Sequence, residues 1–460
     1  MGSYSGKRAT LIGLARTNIS LARFLVRQGA EVTFSDRKTR EELSPEISLV
    51  GDLPVRLSLG GHHDADILGA DVIFVTPGAP RSLPSLALAK AKGIPISSEI
   101  ELLFELCPAP IIGITGSSGK TTTTTLVGEM LRADGRHVLV GGNIGTPLID
   151  RLDELGAESW VVLELSSFQL EFMARSPRIA VVTNITPNHL DRHGTFEAYV
   201  EAKKNILRFQ KAVDCAVLNL DDPASCALAP DAPGKVVFFS RLSEVREGAF
   251  LRDDAIVIRM AGIERPVATV GKLGLRGLHN VENALAAASA ATAAWARPSS
   301  ITATLTSFTG VEHRLELVHE HSGVKFYNDS IATTPERTIA GLRSFDEPIV
   351  LIAGGKSKHL PLEKMIEEMR DRVRYLVLMG ELGREIEQAI DASKLDNVPP
   401  RSWFPTMVEA VAKAIEVAAP GDVVLLSPGG TSFDEFRDFE DRGNRFKQVV
   451  RQLTSRERDP

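Results

Sequence analysis

Short apolar runs rich in Val and Ile alternate along this chain with longer stretches whose apolar positions recur every three or four residues. "ATLIGL", "EVTFSD" and "VIFVTP" predict the first strands, with "NISLARFLVRQG" a helix that ends at Gly29. A second series, "PIIGITG", "HVLVGG", "WVVLELSS", "IAVVTNIT" and "CAVLNLD", is apolar at consecutive positions, as in strands covered on both faces. A third series, "VKFYND", "PIVLIAGG", "YLVLMG" and "DVVLLSPGG", alternates with helices such as "LPLEKMIEEMRDRV". The pattern predicts three α/β units, with joints near the Pro-containing stretch before Ile111 and near Gly310. The Ala-rich stretch Ala284 to Ala296, interrupted by Ser289 and Thr292, is too short for a bilayer span and reads as a packed helix.

Composition narrows the classes. A chain of 460 residues exceeds one ordinary core. With 43% hydrophobic and 24% charged residues and a formal net charge of -6, it reads as a soluble protein with no polyanion-binding surface, so nucleic acid is not an expected partner. Cys107, Cys215 and Cys226 are scattered, with no metal-type C-x-x-C pairing, which fits a reducing cytoplasm. The N-terminal stretch has no apolar run of signal-peptide type.

Candidate chemistry begins at "GITGSSGKTTTTTLVGEML", residues 113–131. The strict phosphate-loop spacing fails, because Ile114 stands where its first glycine belongs. What remains is Gly116, Ser117, Ser118, Gly119, Lys120, Thr121 and Thr122 between an apolar strand and a helical run. In that order, backbone N–H groups converge on a polyphosphate, Lys120 adds charge and Thr121 offers a hydroxyl to Mg²⁺. Earlier, "IGLARTNIS" lies where a dinucleotide fingerprint would, with Asp36 ending the next strand, but only Gly13 of the fingerprint glycines is present; Ala15 and Asn18 replace the others. Two readings stay open there: an NAD-dependent dehydrogenase, or another nucleotide approached by Thr17, Asp36 and Arg37. Glu164 ends an apolar strand, and Asn184, His189, Asp191 and His193 precede a helix carrying Lys203 and Lys204. A strand-end carboxylate suits Mg²⁺. By residue type alone, Glu164 equally caps a helix, His189 is equally structural, and Lys203 equally lies on a solvated face.

"GITGSSGKTT", "GGNIGTP", "LELSSFQLE", "NITPNHLDRHG", "LRGLHNVENALAA", "GVEHRLE", "YNDSIATTPE", "IAGGKSKHLPLE" and "LLSPGGTSFDEFRDFEDRGNRF" together resemble the Mur ligases of bacterial cell-wall synthesis, almost end to end. The first and last blocks are most similar to the glutamate-adding branch. The resemblance implies an N-terminal Rossmann-like UDP-binding domain at 1–98, a central P-loop ATPase-like domain at 99–310, and a C-terminal Rossmann-like, glutamate-binding domain at 311–460. It implies a cytoplasmic, monomeric ligase of peptidoglycan synthesis, serving cell shape and division. Its reaction would use ATP and Mg²⁺, with two ions, to join D-glutamate to UDP-N-acetylmuramoyl-L-alanine through an acyl phosphate.

Residue by residue, the resemblance puts Thr17, Asp36, Arg37, Thr76, Pro77 and Gly78 at UDP, and Asn143 among the substrate contacts. Asn280 and Asn283 would lie near the base of ATP, Arg314 and Asp329 over its phosphates and ribose. Glu164 and His189 would hold metal with Thr121, joined by Lys203 as a carbamate. Thr333, Lys358, Ser432 and Phe439 would hold the amino acid. Sites on separate domains imply closure over the acyl phosphate. Many glutamate-adding members read Asp-Ser-Lys-Ala-Thr-Asn where this chain has Ile331 and Thr334 at the Lys and Asn positions, and Ser357 stands where an acid is common. An L-glutamate-adding ligase and an inactive nucleotide-binding regulator are the alternatives within this resemblance.

Overall fold

A computed structural model of the chain describes residues 4–77, 83–275, 277–393, 395–432 and 434–456; Gly78, expected at UDP, and the side chain of Asp191 lie outside what it describes. The described residues form three sheets. The first has strands β1 (Arg8–Ile12), β2 (Glu31–Ser35), β3 (Val55–Ser58), β4 (Val72–Val75) and β5 (Ile96–Ser97) in the order β3-β2-β1-β4-β5. All its pairings are parallel. The order reverses between β1 and β4, so their carboxyl ends flank a crevice of the kind in which such sheets bind ligands.

The second sheet holds β6 (Ile111–Thr115), β7 (Val138–Gly142), β8 (Trp160–Glu164), β9 (Ile179–Val182), β10 (Cys215–Asn219), β11 (Lys235–Ser240), β12 (Gly248–Arg252), β13 (Ala255–Met260) and β14 (Ile263–Thr269). Its order is β14-β13-β12-β11-β10-β9-β6-β8-β7. Pairing is parallel from β7 through β12 and antiparallel across β12, β13 and β14. β6 lies between β8 and β9, which gathers the ends of three buried strands around one turn. The Ala-rich stretch forms part of the helix Leu278–Ala293, which packs beside the helix Lys120–Ala133; its small side chains allow that close approach.

The third sheet contains β15 (Glu316–His321), β16 (Val324–Asn328), β17 (Ile349–Gly354), β18 (Val373–Met379), β19 (Arg401–Phe404) and β20 (Val423–Gly429) in the order β15-β16-β20-β17-β18-β19. Only β15 runs antiparallel to its neighbour. By contacts the chain divides into two compact units, Met1–Leu273 with Leu278–Ser307, and Gly274–Gly277 with Phe308–Pro460. Inside the first unit, one apolar cluster runs from Leu11, Phe34 and Phe74 through Leu139 and Ile149 to Leu163 and Leu218, joining the first two sheets into one core. In the second unit each face of the sheet has its own core, one around Met365 and Leu378, the other around Phe326, Val424 and Phe446.

Candidate active site

The turn from β6 into the helix Lys120–Ala133 is fixed by its surroundings. A Cβ at Gly116 would lie 1.9 Å from Thr183 Oγ1, and one at Gly119, where φ is 77°, would lie 2.2 Å from Asn283 Oδ1. Neither position has room for a side chain, and the backbone at Gly119 is left-handed. The end of β9 pins the turn: Asn184 O accepts from Ser117 N at 2.8 Å, Asn184 Oδ1 accepts from Ser118 N at 2.9 Å, and Thr183 Oγ1 donates to Ser118 O at 2.7 Å. No side chain caps the helix at Gly119, so its amino end is open to an anion.

Two lysines meet at this turn. Lys120 Nζ donates to Gly116 O at 2.9 Å and Ser117 O at 3.1 Å; Lys203 Nζ donates to the same Gly116 O at 2.9 Å and to Thr115 Oγ1 at 3.1 Å. The helix Phe196–Arg208 brings in Lys203, which is only 1% exposed and lies 4.7 Å from the centre of the Tyr199 ring. Burial, then the charge of Lys120, pushes the Lys203 ammonium well below its usual range, with Glu164 opposing. Tyr199 Oη in turn is 3.0 Å from Ser117 Oγ. Lys204 points elsewhere and pairs with Asp231 at 2.7 Å.

Glu164, 2% exposed at the end of β8, has one oxygen on Thr121 Oγ1 at 2.7 Å and the other on Asn143 Nδ2 at 2.8 Å. A buried carboxylate against the hydroxyl that follows the loop lysine is an oxygen donor pair suited to Mg²⁺. The hydrogen bonds of Glu164 run to Thr121 and Asn143 rather than to His189, and among the described residues no three His, Cys, Asp or Glu side chains gather as a metal centre. His189 is left-handed, with φ 53°, and its ring lies 5.1 Å from Phe168; His193 stacks on the same ring at 5.2 Å and reaches Ser167 Oγ at 3.0 Å. Asn283 and Asn280 are joined at 3.0 Å within the helix Leu278–Ala293. The close approach of Asn283 to Gly119 puts this pair at the phosphate turn.

In the first sheet, Thr17 Oγ1 and Thr76 Oγ1 come within 3.5 Å of each other across the β1–β4 crevice. Asp36 accepts from Leu14 N at 2.8 Å and Lys38 N at 3.0 Å, so its carboxylate shapes the first turn. Arg37 is exposed, and Pro77 O accepts from Arg192 Nη2 at 3.4 Å.

In the second compact unit, Asp329 follows β16 and accepts from Ser427 Oγ at 2.8 Å and from Leu315 N at 3.3 Å. Its carboxyl is pushed up to about 7 by burial, against the pull of Ser427 and the nearby Arg314 charge. Ser432 is buried, and Phe439 lies edge-on to His313 at 6.1 Å, while its carbonyl accepts from Ser330 Oγ at 2.8 Å. Ser357 N and Oγ turn to Glu381 and Glu385, so carboxylates from the helix Gly380–Ser393 stand beside the segment that carries Lys358. Arg442 lay within the sequence blocks without being singled out. Its guanidinium is buried and donates to Ser330 Oγ at 3.0 Å, Ser330 O at 2.9 Å, Gly430 O at 3.1 Å and Thr431 O at 3.1 Å.

Comparison with known proteins gives this geometry its family. Residues 7–98 match the N-terminal domain of MurD-like Mur ligases, 114–291 the Mur ligase middle domain, and 313–430 the Mur ligase glutamate ligase domain. The chain belongs to the Mur ligase family. Among Mur ligases, it is 47% identical over 450 residues to a UDP-N-acetylmuramoylalanine–D-glutamate ligase of Symbiobacterium thermophilum, covering 97% of this chain and 98% of that protein. It is 43% identical over 452 residues to the enzyme so named from Acetivibrio thermocellus, covering 97% of each. Among solved structures, the UDP-N-acetylmuramate-alanine ligase MurC of Thermotoga maritima shares the fold with a TM-score of 0.60 at 19% identity, over 98% of this chain and 100% of that one. The MurF ligase of Thermotoga maritima in complex with ADP gives a TM-score of 0.57 at 17% identity, over 99% and 100%. As a Mur ligase, this protein is an ATP-dependent enzyme that forms amide bonds.

Asp329 yields a pH-dependent prediction. An unfolded aspartate ionises near pH 3.9, while the native carboxyl keeps its proton to about 7. Between those values the native state binds more protons, so stability falls as pH rises through the window. Glu99 in the other unit, also pushed up to about 7 by burial, acts in the same sense, so the difference between variants isolates Asp329. The melting temperature of Asp329→Asn minus that of the wild type should climb from pH 4 to pH 7 and then level off; a difference independent of pH would contradict the assignment.

Proposed function

We propose that this Mur ligase joins D-glutamate to UDP-N-acetylmuramoyl-L-alanine in peptidoglycan precursor synthesis. The observation that carries the nucleotide half of this reading is the pair Lys120 and Lys203 on the carbonyl of Gly116, beside Glu164 and Thr121. The Lys120 cation at an open helix terminus, beside a buried carboxylate and hydroxyl suited to Mg²⁺, suits a triphosphate better than any neutral ligand. The acceptor half rests on the D-glutamate ligases to which the chain is 47% and 43% identical. The ranges 1–98, 99–310 and 311–460 serve as the UDP, ATP and amino-acid domains, in a monomeric cytoplasmic enzyme.

The chemistry follows from the groups present. A carboxylate resists attack by an amine, so the terminal carboxylate oxygen of the UDP-linked substrate first takes the γ-phosphoryl group, and ADP departs. The amine of glutamate then adds to the acyl carbon, loses a proton, and phosphate leaves as the amide forms. Lys120 offsets the negative charge that resists the first approach, and the resemblance gives Arg314 the same charge-neutralising part. Glu164, Thr121 and the carbamate of Lys203, with His189 as a further ligand, would hold Mg²⁺, in two ions. The metal supplies positive charge to the phosphoryl oxygens. The buried environment of Lys203 favours its uncharged amine, the form that adds CO₂; the resulting carbamate turns a repelled cation into an oxygen donor. Asn143, which already orients Glu164, serves the UDP-substrate, and Asn280 and Asn283 serve the nucleotide base. Thr17, Asp36, Arg37 and Thr76 to Gly78 serve the UDP end; Thr333, Lys358, Ser432 and Phe439 serve the amino acid.

Purified protein given ATP, Mg²⁺ and UDP-N-acetylmuramoyl-L-alanine should release phosphate and form product with D-glutamate. Lys120→Ala should lower that rate by at least about 100-fold while leaving the affinity for the UDP substrate unchanged. No amide with any amino acid would refute the reading, and faster turnover with L-glutamate would reassign the acceptor. Exposure to ¹³C-labelled bicarbonate should give a carbamate carbon resonance in the wild type that is missing from Lys203→Ala; the same resonance in both would place the adduct elsewhere.

A further inference from the structure

Arg337 was not among the residues expected to hold the amino acid, yet it shares a hydrogen-bond acceptor with Thr333, which was. The helix Pro335–Leu342 begins just after Thr334, and Arg337 folds back from its first turn so that Nη1 donates to Ile331 O at 3.0 Å. The same carbonyl accepts from Thr333 N at 2.9 Å, so the guanidinium and Thr333 meet at a single atom. The charge of Arg337 also reaches Lys358: after burial, it is the second cause that lowers the pKa of that ammonium. Among the described residues no hydrogen bond or ion pair joins Arg337 to a carboxylate, although its charge reaches Asp329, whereas Arg343, at the end of the same helix, pairs with Glu368. An exposed guanidinium therefore stands at the carbonyl that Thr333 N also bonds, with the Lys358 ammonium within reach of its charge.

We propose that Arg337 binds one carboxylate of the incoming amino acid and, with Lys358, makes the pocket selective for a dicarboxylic substrate. The guanidinium thereby supplies the cation that the apolar Ile331 does not. Its planar fork suits a carboxylate, and a second cation discriminates against amino acids with neutral side chains. The inference rests on the ligase reading above.

The test is steady-state phosphate release by the full chain at saturating ATP and UDP-substrate, as glutamate is varied, for wild type, Arg337→Gln and Arg337→Lys. Glutamine keeps an N–H donor for Ile331 O but removes the charge. Its KM for glutamate should rise about 10- to 100-fold, the loss of one charge-assisted hydrogen bond, with the KM for ATP and the melting temperature unchanged. Lysine should recover part of the loss. A glutamate KM within about twofold of wild type in the glutamine variant would overturn the proposal, as would a parallel rise in the KM values of all substrates with a lowered melting temperature. Absence of glutamate-dependent turnover in the wild type would instead defeat the functional reading itself.

Discussion

The turn between β6 and the helix Lys120–Ala133 depends on one carbonyl oxygen, that of Gly116, which accepts from two lysines at once. Like charges held this close in a poorly solvated pocket repel strongly, and the cost is relieved in only two ways: one nitrogen gives up its proton, or an anion arrives. Burial selects Lys203 for the first route, because its ammonium is the one removed from water. Lys120 is only half-buried, on the same turn. The same geometry thus gives two chemically identical side chains unlike surroundings, one fully buried and one half-buried.

That separation requires the turn to be rigid, and the sheet order provides it. With β6 between β8 and β9, the loop is braced on one side by Thr183 and Asn184 and on the other by Glu164 through Thr121. Asn283 closes the remaining side so tightly that Gly119 admits no Cβ. A triphosphate entering here would find N–H groups already oriented, which is where most of the advantage of such loops lies.

Strands buried on both faces were legible in the sequence because their apolar residues are consecutive; β6, β8 and β9 lie where "PIIGITG", "WVVLELSS" and "IAVVTNIT" predicted. The half-exposed hairpins were not. In β14 the residues Ile263 to Pro266 are all exposed, so no apolar period marks it, and β3 and β5 are too short to carry one. At the site, residue type announced Lys120 and Glu164, but not their partners. That Lys203 rather than Lys204 turns inward depends on the helical face presented to Tyr199 and Gly116, a tertiary fact. Asn283 was expected near the nucleotide base only through the resemblance; its packing against Gly119 is a tertiary fact that residue type does not announce.

Arg442 shows why such residues escape a reading by motif. A buried guanidinium normally requires a carboxylate, yet this one is satisfied by Ser330 and the carbonyls of Gly430 and Thr431, and burial lowers its pKa only to about 10, so the charge persists. Those acceptors belong to the two segments Asp329–Thr333 and Gly429–Ser432. The guanidinium therefore ties the strand end bearing Asp329 to the turn bearing Ser432. Lysine could not reproduce this, since a single ammonium cannot span acceptors spread around a planar fork. The charge is kept in the core because the Ser330 and Gly430 carbonyls depend on this donor, while Thr431 O also accepts from Lys356 N at 2.8 Å; Arg442 is thereby the second unit's counterpart of the shared carbonyl in the first: there one acceptor gathers two lysines, here one cation gathers four acceptors.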